Sequence, residues 1–195
     1  MIDPRFPQLS SEVVAAFLAA PETLVAEVID GELSLLPRPR PRHANAATRL
    51  ARRLGGFFDP IDDEPGGWVI LAEPELRLGP GPDIVAPDLA GWRRPRFPEN
   101  ALEDNAPAFL SVAPDWVCEV LSPSTQSLDR GRKMRVYRRE GIAHLWYLDP
   151  EARTVEVYRL ERGRYALLDT YEDDAVIRAE PFESADLALA SLWRL

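Results

Sequence analysis

Two short apolar runs separated by a single helical stretch constrain this chain more than any other feature. Trp116-Val117-Cys118, leading into Glu119-Val120-Leu121, and residues 143–149 (AHLWYLD) both have the composition of buried strands. Between them lie a turn, Ser122-Pro123-Ser124-Thr125, and a basic helical segment. The order strand, helix, strand predicts a right-handed crossover and a locally parallel pair. Glu119 stands inside the first run. An ionised carboxylate is expensive to bury unless a metal, a cation or hydrogen bonds compensate it, so Glu119 needs a partner. Asp129, Lys133 and Tyr137 follow at intervals of four and share one helical face, which can turn a lysine back toward the strand end that carries Glu119. Lys133 is the only lysine in the chain, every other basic side chain except two histidines being arginine. The alternative for Lys133 is a solvated residue paired with Asp129 one turn earlier.

The flanking segments can be read in order. Ser10 or Ser11 can cap a short helix over residues 12–18, expected to pack on the edge of the fold. Residues 23–36 hold two β-rich runs around Asp30-Gly31, a dipeptide that favours a two-residue hairpin turn. Glu27 and Glu32 on this hairpin are expected to face solvent; in the alternative, Glu27 faces the later site. Residues 37–42 (PRPRPR) are expected to be an extended connector. Residues 43–58 then carry Ala47, Leu50, Ala51, Leu54 and Phe58 at helical spacing. His43 opens that helix, where it could touch a phosphate or a carboxylate, although a structural role is commoner there. After a loop at residues 59–67, strands are expected at residues 68–72, 75–78 and 84–92. Pro87 should put the last of these at an edge or bend it, pushing Asp88 out of the sheet. Residues 93–114 read as a surface excursion that could form a flap over a site. Residues 154–159 and 164–171 form a second hairpin around Glu161-Arg162-Gly163, and residues 187–192 close the chain as a short apolar packing segment.

At 195 residues the chain is expected to form a single domain, residues 1–195 with a core over about residues 24–171. Cys118 is the only cysteine, so no internal disulfide is possible and a buried thiol is expected. The N-terminus lacks the order of a secretory signal and no apolar run approaches the ~20 residues that span a bilayer. Those features predict a cytoplasmic protein with no membrane partner. A formal charge of −9 excludes a protein that coats nucleic acid through its overall field. The charge is uneven, however. Six arginines and no acid lie between Arg38 and Arg53, and six basic residues and no acid between Arg130 and Arg139. Such runs form either a local basic groove or a solvated face.

Asp88 and Glu119 are expected on strands that could be neighbours. Two carboxylates converging there suit a hard divalent cation, Mg²⁺ or Mn²⁺, which keeps several waters for chemistry. A nearby lysine could orient or deprotonate one of those waters. Several short motifs in order, Glu27-Val28-Ile29-Asp30-Gly31-Glu32-Leu33, His43, Pro87-Asp88, the run from Glu119 to Thr125, Asp129 with Lys133 and Tyr137, and Gly141 with Leu145 to Pro150, resemble the bacterial Uma-two type "putative restriction endonuclease" family. That family belongs to the PD-(D/E)XK nuclease superfamily. The resemblance covers roughly residues 20–175. It implies an α/β (α+β) fold, a mixed central sheet flanked by helices, with extra N- and C-terminal hairpins. It also implies Asp88 and Glu119 as metal ligands, Lys133 as a third catalytic residue, Glu27 and His43 as neighbours, and DNA as substrate. The superfamily's usual lysine two residues after the second acid is absent, since that position is Leu121; Lys133 is expected to replace it. A homodimer fits a nuclease that cuts both strands. A non-catalytic nucleic-acid or protein interaction module, and an oligomer without a site, are the competing readings.

Overall fold

A computed structural model describes residues 9–59 and 67–194. Helix α1 (Ser11–Leu18) starts at Ser10, whose hydroxyl accepts the Val13 N–H. Strands β1 (Leu24–Ile29) and β2 (Glu32–Pro37) form the expected hairpin, with Asp30 and Gly31 both at positive φ (53° and 76°). Helix α2 runs Pro41–Phe58 and β2 ends at Pro37, so the connector is three residues shorter than expected: Pro41 opens the helix, where its missing N–H is not needed. Its buried face is Ala46, Leu50 and Leu54. The expected loop at residues 59–67 lies almost wholly outside the described residues.

The expected strand over residues 84–92 is in fact two. Strand β3 (Trp68–Ala72) is followed by β4 (Leu76–Leu78), β5 (Asp83–Val85) and β6 (Leu89–Arg93), and the chain changes sheet between β5 and β6 at Ala86-Pro87-Asp88. Pro87 therefore sits at a break, and neither flanking strand is an edge. Strand β7 (Trp116–Val120) is followed by a helical run comprising α3 (Gln126–Leu128), a π turn (Asp129–Lys133) and α4 (Met134–Arg139). Strand β8 (His144–Asp149) pairs parallel to β7, as the crossover requires. Strands β9 (Thr154–Glu161) and β10 (Arg164–Glu172) form the second hairpin, and the short strands β11 (Val176–Ile177) and β12 (Leu187–Ala188) pair before α5 (Ala190–Trp193).

These strands make a six-stranded mixed sheet, β10-β9-β8-β7-β6-β3, and a four-stranded antiparallel sheet, β2-β1-β5-β4. The centre of the larger sheet is covered on both faces, which is why β7 is buried along its whole length, whereas β10 at one edge is largely exposed. On one face Trp116, Cys118, Val120 and Trp146 pack against Leu50 and Leu54 of α2 and against Phe182, whose ring meets Trp116 edge-on at 5.0 Å. On the other face Val117, Leu145 and Tyr147 pack against Val136 and Tyr137 of α4 and against Ile29, Leu76 and Val85 of the smaller sheet. By strand alternation Glu119 points to this second side, between the two sheets. Residues 94–114 are tied to β4 through reciprocal backbone bonds of Leu110 with Glu75 and Arg77 and do not line the cavity described below, so they form no flap over it. Among the described residues no helix is long and apolar enough to cross a membrane.

Candidate active site

The break in the chain after β5 creates the site. Leaving β5, Ala86 donates its N–H to Glu27 Oε1 of β1 at 2.9 Å. Two residues later Asp88 Oδ2 accepts the Val120 N–H at 2.7 Å, just before the β6–β7 ladder begins with Leu89 opposite Cys118. Asp88 thus lies immediately before β6, beside the neighbouring strand β7 that carries Glu119, rather than on a strand itself. Proline matters because it removes the N–H that would have continued the β5 ladder and lets the chain cross between sheets.

The helical run after β7 returns over this point. A π turn, rather than a regular one, occupies Asp129–Lys133. The Asp129 carbonyl accepts the Met134 N–H five residues on and also the Tyr147 hydroxyl at 2.7 Å. Asp129, Lys133 and Tyr137 nevertheless all face inward. Lys133 is 3% exposed, and its Nζ lies 2.7 Å from Glu119 Oε1, 3.1 Å from Glu27 Oε1 and 3.6 Å from Asp129 Oδ1. The Tyr137 hydroxyl donates a short hydrogen bond to the same Glu119 oxygen. The solvated alternative for Lys133 is overturned.

Glu27 does not face solvent either. It is fully buried, because β1 lies inside its sheet between β2 and β5 and its C-terminal half is covered on both faces. Glu32, opposite Ile29 at the start of β2, is exposed and meets Arg132 at 3.1 Å. His43 at the start of α2 places Nε2 at 3.4 Å from Asp88 Oδ2. Burial disfavours its charge, but the hydrogen bond and the negative charge of Asp88 outweigh burial and hold the imidazole above its ordinary range. All five residues singled out in the sequence therefore line one cavity of about 550 Å³. Asp129 lines it too. Asp83, which no sequence argument singled out, braces its back: Asp83 Oδ1 accepts the Asp30 N–H at 2.7 Å and Oδ2 meets Arg139 of α4. The only signal for it was its place at the end of the Gly79–Asp83 turn.

Charge balance decides what this cavity can hold. Burial, first of all, pushes the Glu119 carboxyl well up, with Asp129, Asp88 and Glu27 adding repulsion and Lys133 opposing it. Asp129 is raised for the same reasons. Burial also works against the Lys133 charge, but Glu119 and Glu27 outweigh it and keep the ammonium protonated. Four acids therefore share one lysine and one histidine, and Glu27 Oε2 is buried without a hydrogen-bond partner. Such a site must take up protons or a cation. Among the described residues no group of three or more His, Cys, Asp or Glu side chains is arranged to hold a metal ion. Mg²⁺ does not need one: it is commonly held by one or two carboxylates, with waters and substrate phosphate completing its shell. The oxygen donors Asp88 and Glu119, in a cavity with surplus negative charge, fit that pattern.

The chain matches the family model Uma2, described as "Putative restriction endonuclease", over residues 14–190. Among solved structures it is similar to a "putative nuclease" from Anabaena variabilis, with 24% identity, 92% of this chain and 96% of that chain covered, and a TM-score of 0.71. That likeness establishes the shared fold. No curated protein matches the chain significantly.

Proposed function

Since the chain belongs to the Uma2 family, with a nuclease-like fold, we propose that it is a metal-dependent endonuclease that hydrolyses DNA phosphodiester bonds. The observation that carries this reading is the buried Lys133, brought from a separate helix to within 2.7 Å of Glu119 beside Asp88. Asp88 and Glu119 are the residues that would hold Mg²⁺ or Mn²⁺, and the ion would supply an activated water and neutralise phosphate charge. Lys133 stays charged, so it acts as a donor that orients the attacking water and stabilises charge developing on phosphorus rather than as the base. Glu27 holds Lys133, Tyr137 holds Glu119, and His43 holds Asp88.

A second reading is a non-catalytic binding module, favoured by one observation: Glu119 Oε1 already accepts from both Lys133 and Tyr137. Titration of Mn²⁺ into wild type and Asp88→Ala, with a cleavage assay alongside, separates the two. The nuclease reading expects Mn²⁺ binding and cleavage in wild type, and loss of both in Asp88→Ala and Glu119→Ala with the fold retained. Cleavage unchanged in both variants would sink it, and wild type that binds no Mn²⁺ even with DNA present favours the module.

A further inference from the structure

Two arginines of the PRPRPR run, Arg38 and Arg40, stand at the mouth of the cavity. Several exposed arginines elsewhere are paired, Arg96 with Asp115, Arg130 with Glu156, Arg178 with Asp186 and Arg194 with Asp174, while others such as Arg52 and Arg138 are not, and none of these lines the cavity. Among the described residues, Arg38 and Arg40 form no ion pair with an acid, although both are exposed and both line the cavity. Arg38 spends two N–H groups on the Glu22 carbonyl, which fixes its direction and leaves further donors of the guanidinium free. Arg40 has extended backbone (φ −74°, ψ 158°) and makes no side-chain cap to α2. Prolines on either side stiffen this stretch, so two arginines are held about 6 Å apart along a polyproline-type rise. Glu73 and Glu75 also line the cavity, and Glu75 is paired with Arg77 at 2.8 Å. Among the described residues that line the cavity, Arg38 and Arg40 are the arginines, and they stand on the connector.

The depth of the site adds a second constraint. Glu27, Glu119, Asp129 and Lys133 are between 1% and 4% exposed, at the floor of the cavity. Its walls include the apolar side chains of Leu24, Val25, Leu36 and Pro39. An intact duplex carries its phosphates on a broad, stiff convex surface with the bases turned inward, so it cannot lay its bases against the cavity's apolar walls. An unpaired strand can, with its phosphates along a basic track.

We propose that Arg38 and Arg40 form a phosphate-tracking rail at the cavity mouth, and that the strand they guide to the carboxylates is single-stranded DNA. This rests on the nuclease reading for the chemistry, but its test does not. Fluorescence anisotropy in EDTA, where no cleavage occurs, measures binding of a labelled strand of about 16 nucleotides and of the blunt duplex of the same sequence. The single strand should bind roughly tenfold or more tightly, within the range one stacked base contributes. Arg40→Ala should weaken that binding several-fold and reduce the slope of log K against log salt by about 0.7, the value for one phosphate contact on a single strand. Arg40→Lys should restore most of the slope. Arg52→Ala, in the same basic run but not lining the cavity, should leave both unchanged. Equal or tighter duplex binding, no binding of the strand, or equal losses in Arg40→Ala and Arg52→Ala would each overturn the rail. Binding as described without cleavage in Mg²⁺ or Mn²⁺ upholds the rail while the nuclease reading fails. Duplex cleavage indifferent to Arg40→Ala does the reverse.

Discussion

At the scale of single residues, the most consequential arrangement is one ammonium among several carboxylates. Removing one partner of a buried ion pair leaves an uncompensated charge, at a cost of about 3–5 kcal/mol. Lys133→Ala is expected to destabilise the metal-free protein by about that much near neutral pH, because Glu27, Glu119 and Asp129 all lose their cation. Tyr137→Phe removes one hydrogen bond to the Glu119 carboxylate and should cost less, about 1.5–3 kcal/mol. Urea denaturation of the two variants checks the ranking. The pH dependence has a definite sign. The Glu119 carboxyl is raised above its unfolded value, so its contribution to stability is fully present below about 4.5 and is lost as pH rises through the folded value. The Lys133→Ala deficit should therefore shrink as the denaturation is repeated at falling pH, and a deficit independent of pH would contradict the charge cluster.

Among the elements, the β6–β7 pair sets the spacing of Asp88 and Glu119, and its fit depends on a residue without a side chain. A Cβ on Gly91 of β6 would lie 3.1 Å from a ring carbon of Trp116 and 3.3 Å from one of Trp68. Both rings are wedged in the core beside Phe182 and have little room to yield. Gly91→Ala should cost about 1–3 kcal/mol by overpacking, read as a lowered denaturation midpoint, and should lower activity more than its stability loss alone explains, because the strand that follows Asp88 must shift. An unchanged midpoint would mean that the Trp68 and Trp116 layer is softer than its packing indicates. The hairpin β1–β2 is tied down in a comparable way. Its turn is locked to α4 through Asp30, Asp83 and Arg139, so Glu27 is positioned from both ends of the lysine helix.

For the whole molecule, the proposed metal site makes a prediction about stability that the net charge of −9 and the acid-rich cavity support. A ligand that binds only the native state stabilises it by RT ln(1 + [L]/Kd), about 2.7 kcal/mol at a hundredfold excess over Kd. Mn²⁺ should raise the Tm of wild type, EDTA should reverse the rise, and Asp88→Ala should abolish it. Ion binding must also displace protons from the raised carboxyls, so the Tm increment should grow as pH rises from about 4.5. An increment that does not change with pH, or one retained in Asp88→Ala, would place the ion elsewhere.

Much of this architecture was legible in the sequence, where local chemistry dictates the outcome. Asp30-Gly31 specified its hairpin because both turn residues need positive φ, and the two apolar runs around one helix specified the parallel β7–β8 pair. The four-residue spacing of Asp129, Lys133 and Tyr137 was enough to put them on one face, even though the π turn between them was not visible. Pro87 announced an irregularity. Whether it meant an edge, a bend or a change of sheet depended on which strands lay on either side. Glu27 shows the limit most clearly, since alternation along a hairpin cannot say whether a second layer covers its polar face. Only the packing of β5 beside β1 and of the lysine helix above them turned a residue expected at the surface into a buried partner of Lys133. The chain by itself determined which elements form and which groups carry charge; the tertiary structure decided which of those charges are removed from water together, because burial depends on neighbours distant in sequence.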